Sequence, residues 1–292
     1  NGVIIITTKG GKEGKVKVDF DASVAAQSYV NRMQVLNAEE FGRVMWQGYV
    51  NDGLNPNMNA LGYQYSWGYD ASGNPVLNKV GTSKYLDAAG ITPASDTDWF
   101  RETTRTGIIQ QYNLSLSNGT ERGNSFFSLG YYKNDGIIKH SDFSRLSARI
   151  NTDYKLLKIG DKNILTIGEH FTLNRTSEVQ APGGFLENVL QFNPSIPVYT
   201  TEGEFAGPVG GYADRENPLA RLTRNADNRY YYWRMFGDAY LNINPMKGLN
   251  LKTTFGLDYS QKEQRIFTYP VTEGTVANAT NAVEDKQEHW LK

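Results

Sequence analysis

The chain has 292 residues, with 30 Lys and Arg against 31 Asp and Glu, a formal net charge of −1 at pH 7. That balance presents no polycationic surface to nucleic acid, and no apolar run approaches the ~18 residues of a membrane helix. The absence of Cys removes disulfides and thiol chemistry, and His140, His170 and His289 match no metal-ligand spacing. A mean hydropathy of −0.53 still permits a transmembrane barrel, whose strands alternate apolar and polar residues. Eighteen Tyr, 13 Phe and 29 Gly read as an all-β chain with many turns.

The chain opens on "NGVIIITTKGG", where Val3 to Ile6 form a β-branched run suited to a strand covered on both faces. No Met and no polar lead-in precede it, so either a domain begins abruptly or the start of the protein is missing. Next, "GKVKVDFDASVAAQ" alternates with a period of two. Val16, Val18, Phe20, Ala22 and Val24 share one face. The same alternation predicts strands over 107–118, 124–133, 145–156, 164–175, 229–244 and 249–260, with a last one starting near Asp285. These runs are longer than the usual strand of about 5–6 residues and match the ~9–11 needed to cross a bilayer at a tilt. Arg145, Arg149, Asp153, Arg234 and Lys252 fall on the polar face, which suits the wet lumen of a large barrel. Tyr112, Tyr131, Tyr154, Phe171, Tyr231 and Tyr259 fall near the ends of the apolar face, where interfacial girdles sit.

The connections alternate long and short. Ser28–Arg105, the stretch around "NDGIIKHSDF", 177–228 and Gln261 to about Val283 are the longer ones. Gly119–Gly123, "LKIGDKN" and "PMKG" are short. An outer-membrane barrel has this pattern, with short periplasmic turns and long extracellular loops. Within the first long loop, "LNAEEFGRVMWQGYV" has helical spacing, with Asn37 as N-cap and Glu40 at N3. Residues 96–105 predict a short helix or turn.

Several of these stretches, in this order, resemble the SusC/RagA family of TonB-dependent outer-membrane transporters. They are "NGVIIITTKGG", "VLNAEEFGRVM", the long run from "TDWFRETTRTGIIQQYNLSLSNG" through "SLGYYKNDGIIKHSDFSRLSARINTDYKL", then "NPLARL" and "LKTTFGLDYS". The resemblance implies residues 1–11 as the C-terminal end of a plug domain. It implies residues 12–292 as the N-terminal part of a barrel, about eight of roughly 22 strands in meander order. The expected fold is therefore an all-β, partial transmembrane antiparallel barrel whose long extracellular loops carry short helices. The chain is expected to be a piece of a longer protein, forming an open, curved sheet with residues 3–8 unpaired or on its concave face.

By the same resemblance the function is import of glycans, oligosaccharides or peptides across the outer membrane of Bacteroidetes-type bacteria. The partners implied are a SusD-like surface lipoprotein, the TonB–ExbB–ExbD complex, the glycan or peptide ligand and outer-membrane lipid. No nucleic acid, cofactor, metal or catalytic residue is expected. Candidate ligand or partner contacts are loop aromatics, which suit sugar faces: Tyr63, Tyr65, Trp67, Tyr69, Trp99, Phe185, Tyr199 and Tyr212, with Phe192 and Phe205 beside them. Packing of the loops against one another is the competing role for each. "SDTDWF" and "NAEE" supply acidic pairs, but no nucleophile elbow, triad or P-loop accompanies them. The alternative class is a soluble or surface β-rich carbohydrate-binding or adhesion protein.

Overall fold

The computed structural model describes residues 14–30, 33–210 and 215–292. The opening "NGVIIITTKGG" and Tyr212 lie outside the described residues. One antiparallel sheet dominates. Its strands are β1 (Gly14–Gln27), β4 (Gly107–Thr120), β5 (Gly123–Asp135), β6 (Asp142–Ile159), β7 (Lys162–Val179), β8 (Arg229–Met246), β9 (Leu249–Thr268) and β12 (Ala282–Leu291). They pair in that order, a pure meander. Among the described residues β1 pairs only with β4 and β12 only with β9, so the sheet is open, as expected. A two-sheet sandwich is not what forms. No described helix is long and apolar enough to cross a membrane, and crossing by strands does not require one.

The register explains why the alternation matters. Phe20, Leu114, Leu129, Ala148, Leu173, Met235, Tyr259 and Leu291 are successive cross-strand partners, one on each of the eight strands. A slip of one residue on any strand would turn that strand's apolar set to the other face. The row is apolar, yet nearly all of it is exposed or half-exposed, Phe20 at 64%. Water would not tolerate so broad an apolar face on a soluble protein, whereas lipid requires one.

The opposite face is polar and internally paired. Arg234 donates two hydrogen bonds to Asp258, at 3.0 and 2.8 Å. Tyr240 donates to Asp153, and Lys252 sits 4.1 Å from the centre of the Tyr240 ring. His170 stacks on Tyr240 and lies 3.2 Å from Asp238 through Nδ1. Gly168 makes room for this cluster, since a Cβ there would fall 2.4 Å from the Tyr240 ring.

Three connections are as tight as a turn allows: Glu121–Arg122, Gly160–Asp161 and Lys247–Gly248. The other four rise from the opposite end of the sheet; 136–141 has six residues and the remaining three are long. The first carries α1 (Ala38–Asn51), a 3₁₀ turn Pro56–Met58, the hairpin β2 (Tyr63–Tyr69) and β3 (Pro75–Thr82), and α2 (Trp99–Thr103). The second carries α3 (Phe185–Gln191) and α4 (Pro218–Asn225). The third carries the small hairpin β10 (Val271–Glu273) and β11 (Val276–Asn278).

Two expectations need correction. The loop predicted from Gln261 to Val283 is shorter, because β9 continues to Thr268 and β12 starts at Ala282. Residues 261–265 are polar on both faces, so periodicity is silent there and backbone pairing extends the strand to Thr268. Phe171 and Tyr259 also stand in mid-strand once β7 and β9 are given their full length, away from the ends where a girdle sits.

Candidate functional site

The loops do not hang free. They fold into a layer with its own cores above one end of the sheet. The N-terminus of α1 is fixed as its sequence predicts. The Asn37 side chain accepts from the Glu40 amide at 2.9 Å, and the Glu40 carboxylate accepts from the Asn37 amide at 3.0 Å. Trp46 of α1 packs with Leu61, Tyr63 and Tyr65 in a buried cluster. Gly42 allows the approach, because a Cβ there would lie 2.7 Å from the Tyr63 ring.

Tyr63 donates from its hydroxyl to Ala38 O at 2.8 Å, and Tyr65 donates to Gly42 O at 2.9 Å. Burial pushes the Tyr63 phenol up to about 12, so it remains a donor throughout the physiological range. Asn57 and Asn59 bond the backbone of β2 with their side chains. Asn57 exchanges two bonds with Tyr65, and Asn59 exchanges two with Tyr63. Their amides stand in for a missing neighbouring strand.

The second core joins the first two long loops. Trp99, Phe100, Phe185, Val189, Phe192, Ile196, Ala206 and Leu222 are its buried members. Trp99 lies edge-on to Phe192 at 4.8 Å between centroids and donates its indole N–H to Asn193 O at 3.1 Å. Backbone bonds complete the join, from Ser95 N to Ser195 O at 2.9 Å and from Thr97 N to Pro194 O at 2.8 Å. The short 136–141 connection joins from below, with Ile138 against this core and Arg105 N donating to Ile137 O.

A buried polar network ties in the third loop. Asn217 caps α4, accepting from the amides of Leu219 and Ala220, and donates from its side chain to Val198 O and Ala206 O. Pro218 follows at N1, where its missing N–H costs nothing. The Asn217 amide donates to Glu273 at 2.7 Å. Arg224 bridges Glu273 and Glu216, the latter at 2.6 Å. Gly207 permits the contact, since a Cβ there would fall 2.1 Å from Glu273 O.

The sequence-predicted site residues therefore separate into groups. Tyr63, Tyr65, Trp99 and Phe185 are buried in the two loop cores, where they hold the layer together. Trp67 is half-buried, edge-on to Trp46 and Tyr69. Tyr69 is 69% exposed at the hairpin end, and Tyr199 is 48% exposed, stacked on Phe205. The structure does not bring the seven described ones together at one point. Sequence reasoning missed Asn57, Asn59, Asn217, Arg224 and Glu273. Only Asn217 had a readable signal, an Asn followed by Pro at a helix start. A cleft of about 700 Å³ opens between 33–37 and 96–100, lined by Met33, Val35, Leu36, Asp96, Asp98 and Phe100. None of the seven described candidates lines it.

This geometry defines a class. A single meander sheet with an apolar outer face, tight turns at one end and a structured loop layer at the other is a wall segment of a membrane β-barrel. The comparisons with known proteins agree with that class. No protein-family model matches the chain. TonB-dependent receptor P39 of Formosa agariphila is 27% identical over 271 residues, 91% of this chain and 22% of the relative. TonB-dependent receptor SusC of Bacteroides thetaiotaomicron is 26% identical over 253 residues, 86% of this chain and 21% of the relative. The chain thus spans about a fifth of the length of the curated relatives it matches. Among solved structures, the RagAB peptide importer in its "open-open" state matches with a TM-score of 0.65 at 18% identity, over 97% of this chain and 32% of that one. Its "closed-closed" state matches with 0.62 at 19% identity, over 88% and 29%. The likeness to SusC/RagA-type TonB-dependent receptors therefore holds in sequence and in fold.

Proposed function

We propose that this chain supplies the first barrel strands and the first surface loops of a SusC/RagA-type, TonB-dependent importer in the outer membrane of a Bacteroidetes-type bacterium. In this reading 12–292 belong to the barrel and 1–11 to the end of the plug. The cargo is a glycan, oligosaccharide or peptide. A SusD-like lipoprotein docks on the loop layer, and the TonB–ExbB–ExbD complex supplies the energy. The chain performs no bond-breaking chemistry. Of the predicted contacts, Tyr69 and Tyr199 are the ones whose exposure supports a role in meeting a ligand or partner, and Trp67 is half-buried beside Tyr69. The soluble or surface adhesion reading is not favoured, because it leaves the exposed apolar face without a solvent.

One observation carries the proposal: turns and loops alternate strictly along a sheet whose middle outward row, from Phe20 to Leu291, is apolar on all eight strands. These 292 residues contain no Cys, so each thiol introduced here is the only one in this stretch. Tyr69→Cys, Tyr199→Cys and Lys247→Cys are placed singly in the receptor that carries this chain, and intact cells are exposed to a membrane-impermeant maleimide. The first two variants are expected to label and the third only after lysis. Labelling of Lys247→Cys in intact cells would reverse the orientation and defeat the reading. Uptake of labelled oligosaccharides and of labelled peptides, with and without a protonophore, then decides the cargo class.

A further inference from the structure

On the outward face of β7, Leu165, Ile167, Phe171 and Leu173 are apolar, with Glu169 between Ile167 and Phe171, and the next outward position toward the loops is Arg175. Its cross-strand partners are Leu146 on β6 and Trp233 on β8, both outward-facing. Arg175 is exposed, and its guanidinium lies 5.6 Å from the Tyr231 ring centre and 5.1 Å from that of Trp233. These two rings fix its direction. Tyr131 and Tyr112 stack on each other at the same level on β5 and β4, so the residue sits in an aromatic belt.

Among the described residues Arg175 has no hydrogen-bond or ion-pair partner. The nearest outward charges are engaged elsewhere. Lys133 pairs with Asp135 at 3.1 Å, and Glu263 accepts from Gln261 at 2.5 Å. A lone guanidinium at the rim of an apolar band is costly unless an anion meets it there. Its fork also matches phosphate oxygens in a way a lysine ammonium does not.

We propose that Arg175, held between Tyr231 and Trp233, binds a phosphate group of an outer-leaflet lipid. The inference rests on the orientation proposed above, which puts the loop end of the sheet at the cell surface. Charge complementarity selects the ligand, and the position on the lipid-facing side selects a lipid over a soluble anion.

The test uses the whole receptor, purified from outer membranes in mild detergent. Its thermal unfolding is followed while bisphosphorylated lipid A, lipid A stripped of phosphate, or sodium phosphate is added. Bisphosphorylated lipid A is expected to raise Tm, with the stripped lipid giving a smaller shift and sodium phosphate none. Arg175→Gln is expected to raise the half-saturating lipid concentration about tenfold, the scale of one lost charge-assisted contact. Arg175→Lys should fall between, keeping the charge but losing the fork. Should Arg175→Gln assemble poorly, Tyr231→Leu with Trp233→Leu leaves the charge and removes its bracket, and weaker lipid binding is again expected. Wild-type lipid response in Arg175→Gln, or an equal shift from sodium phosphate, would overturn the proposal. Reversed maleimide labelling would instead defeat the orientation, and the inference with it.

Discussion

Phe20 on β1 and Trp99 on α2 are both large and apolar, yet one is 64% exposed and the other 2%. The same contrast runs through the whole chain. The sheet contributes little to the buried hydrophobic set, chiefly Phe126 and Val179. Trp46, Leu61, Tyr63, Tyr65, Trp99, Phe100, Phe185, Phe192, Ile196 and Leu222 all come from the connections. The sheet is held by its backbone ladder and leaves its apolar rows for lipid. The loop layer is organised as a small soluble domain, apolar inside, with capping asparagines and an Arg–Glu network bonding several of its buried polar groups. Burial therefore means different things in the two regions: apolar exposure marks the working face of the sheet, and apolar burial marks the scaffold of the loops.

Trp99→Ala should have the largest effect. It removes the indole from the joint between the first two long loops and leaves Asn193 O with only the Ile196 amide, at 3.3 Å, as donor. The expected cost to the loop layer is about 3–5 kcal/mol, typical of a buried aromatic cut to Ala. Limited proteolysis of the receptor in outer-membrane vesicles should then cut within 28–106 and 180–228, while the barrel keeps its heat-modifiable gel migration. Loss of that migration would mean that the two regions fold as one unit.

A smaller effect comes from the sheet. Leu129→Arg puts a cation in the middle of the apolar row and should destabilise the inserted barrel by about 2–4 kcal/mol, whereas Ser128→Arg, one residue away on the wet face, should cost far less. Urea unfolding in phospholipid vesicles measures both, and equal losses would show that the two faces are not solvated differently.

The smallest effect sharpens the picture of the loop surface. Asp70 closes the β2–β3 hairpin by accepting from the amides of Asn74 and Ser72, each at 2.8 Å. Those bonds, chiefly from Asn74, hold its carboxyl below the ordinary value of 3.8. A depressed carboxylate contributes stability above its unfolded value and loses it as pH falls through the lowered folded value. Protection from hydrogen exchange at the hairpin tip, corrected for the intrinsic rate, should therefore fall below pH 3.8 in the wild type and stay flat in Asp70→Asn. An unchanged acid response in Asp70→Asn would remove Asp70 as the cause.

What the sequence determined by itself was whatever depends on local period and local chemistry. A period of two set the strands and their faces, because pleated backbone puts alternate side chains on opposite sides. Gly-bearing turns and long loops set the meander and its two ends. Asn37 and Glu40 set the start of α1, because a capping box closes within four residues. Tertiary structure decided the rest, because it depended on partners far apart in the chain. Periodicity ended β9 early, since residues 261–268 extend it only by pairing with β8 and β12. Tyr63, Tyr65, Trp99 and Phe185 looked like open platforms for a ligand, since an aromatic in a loop carries no mark of what covers it. Asn193, 94 positions from Trp99, and Glu273, 56 positions from Asn217, are what turned three loops into one buried layer.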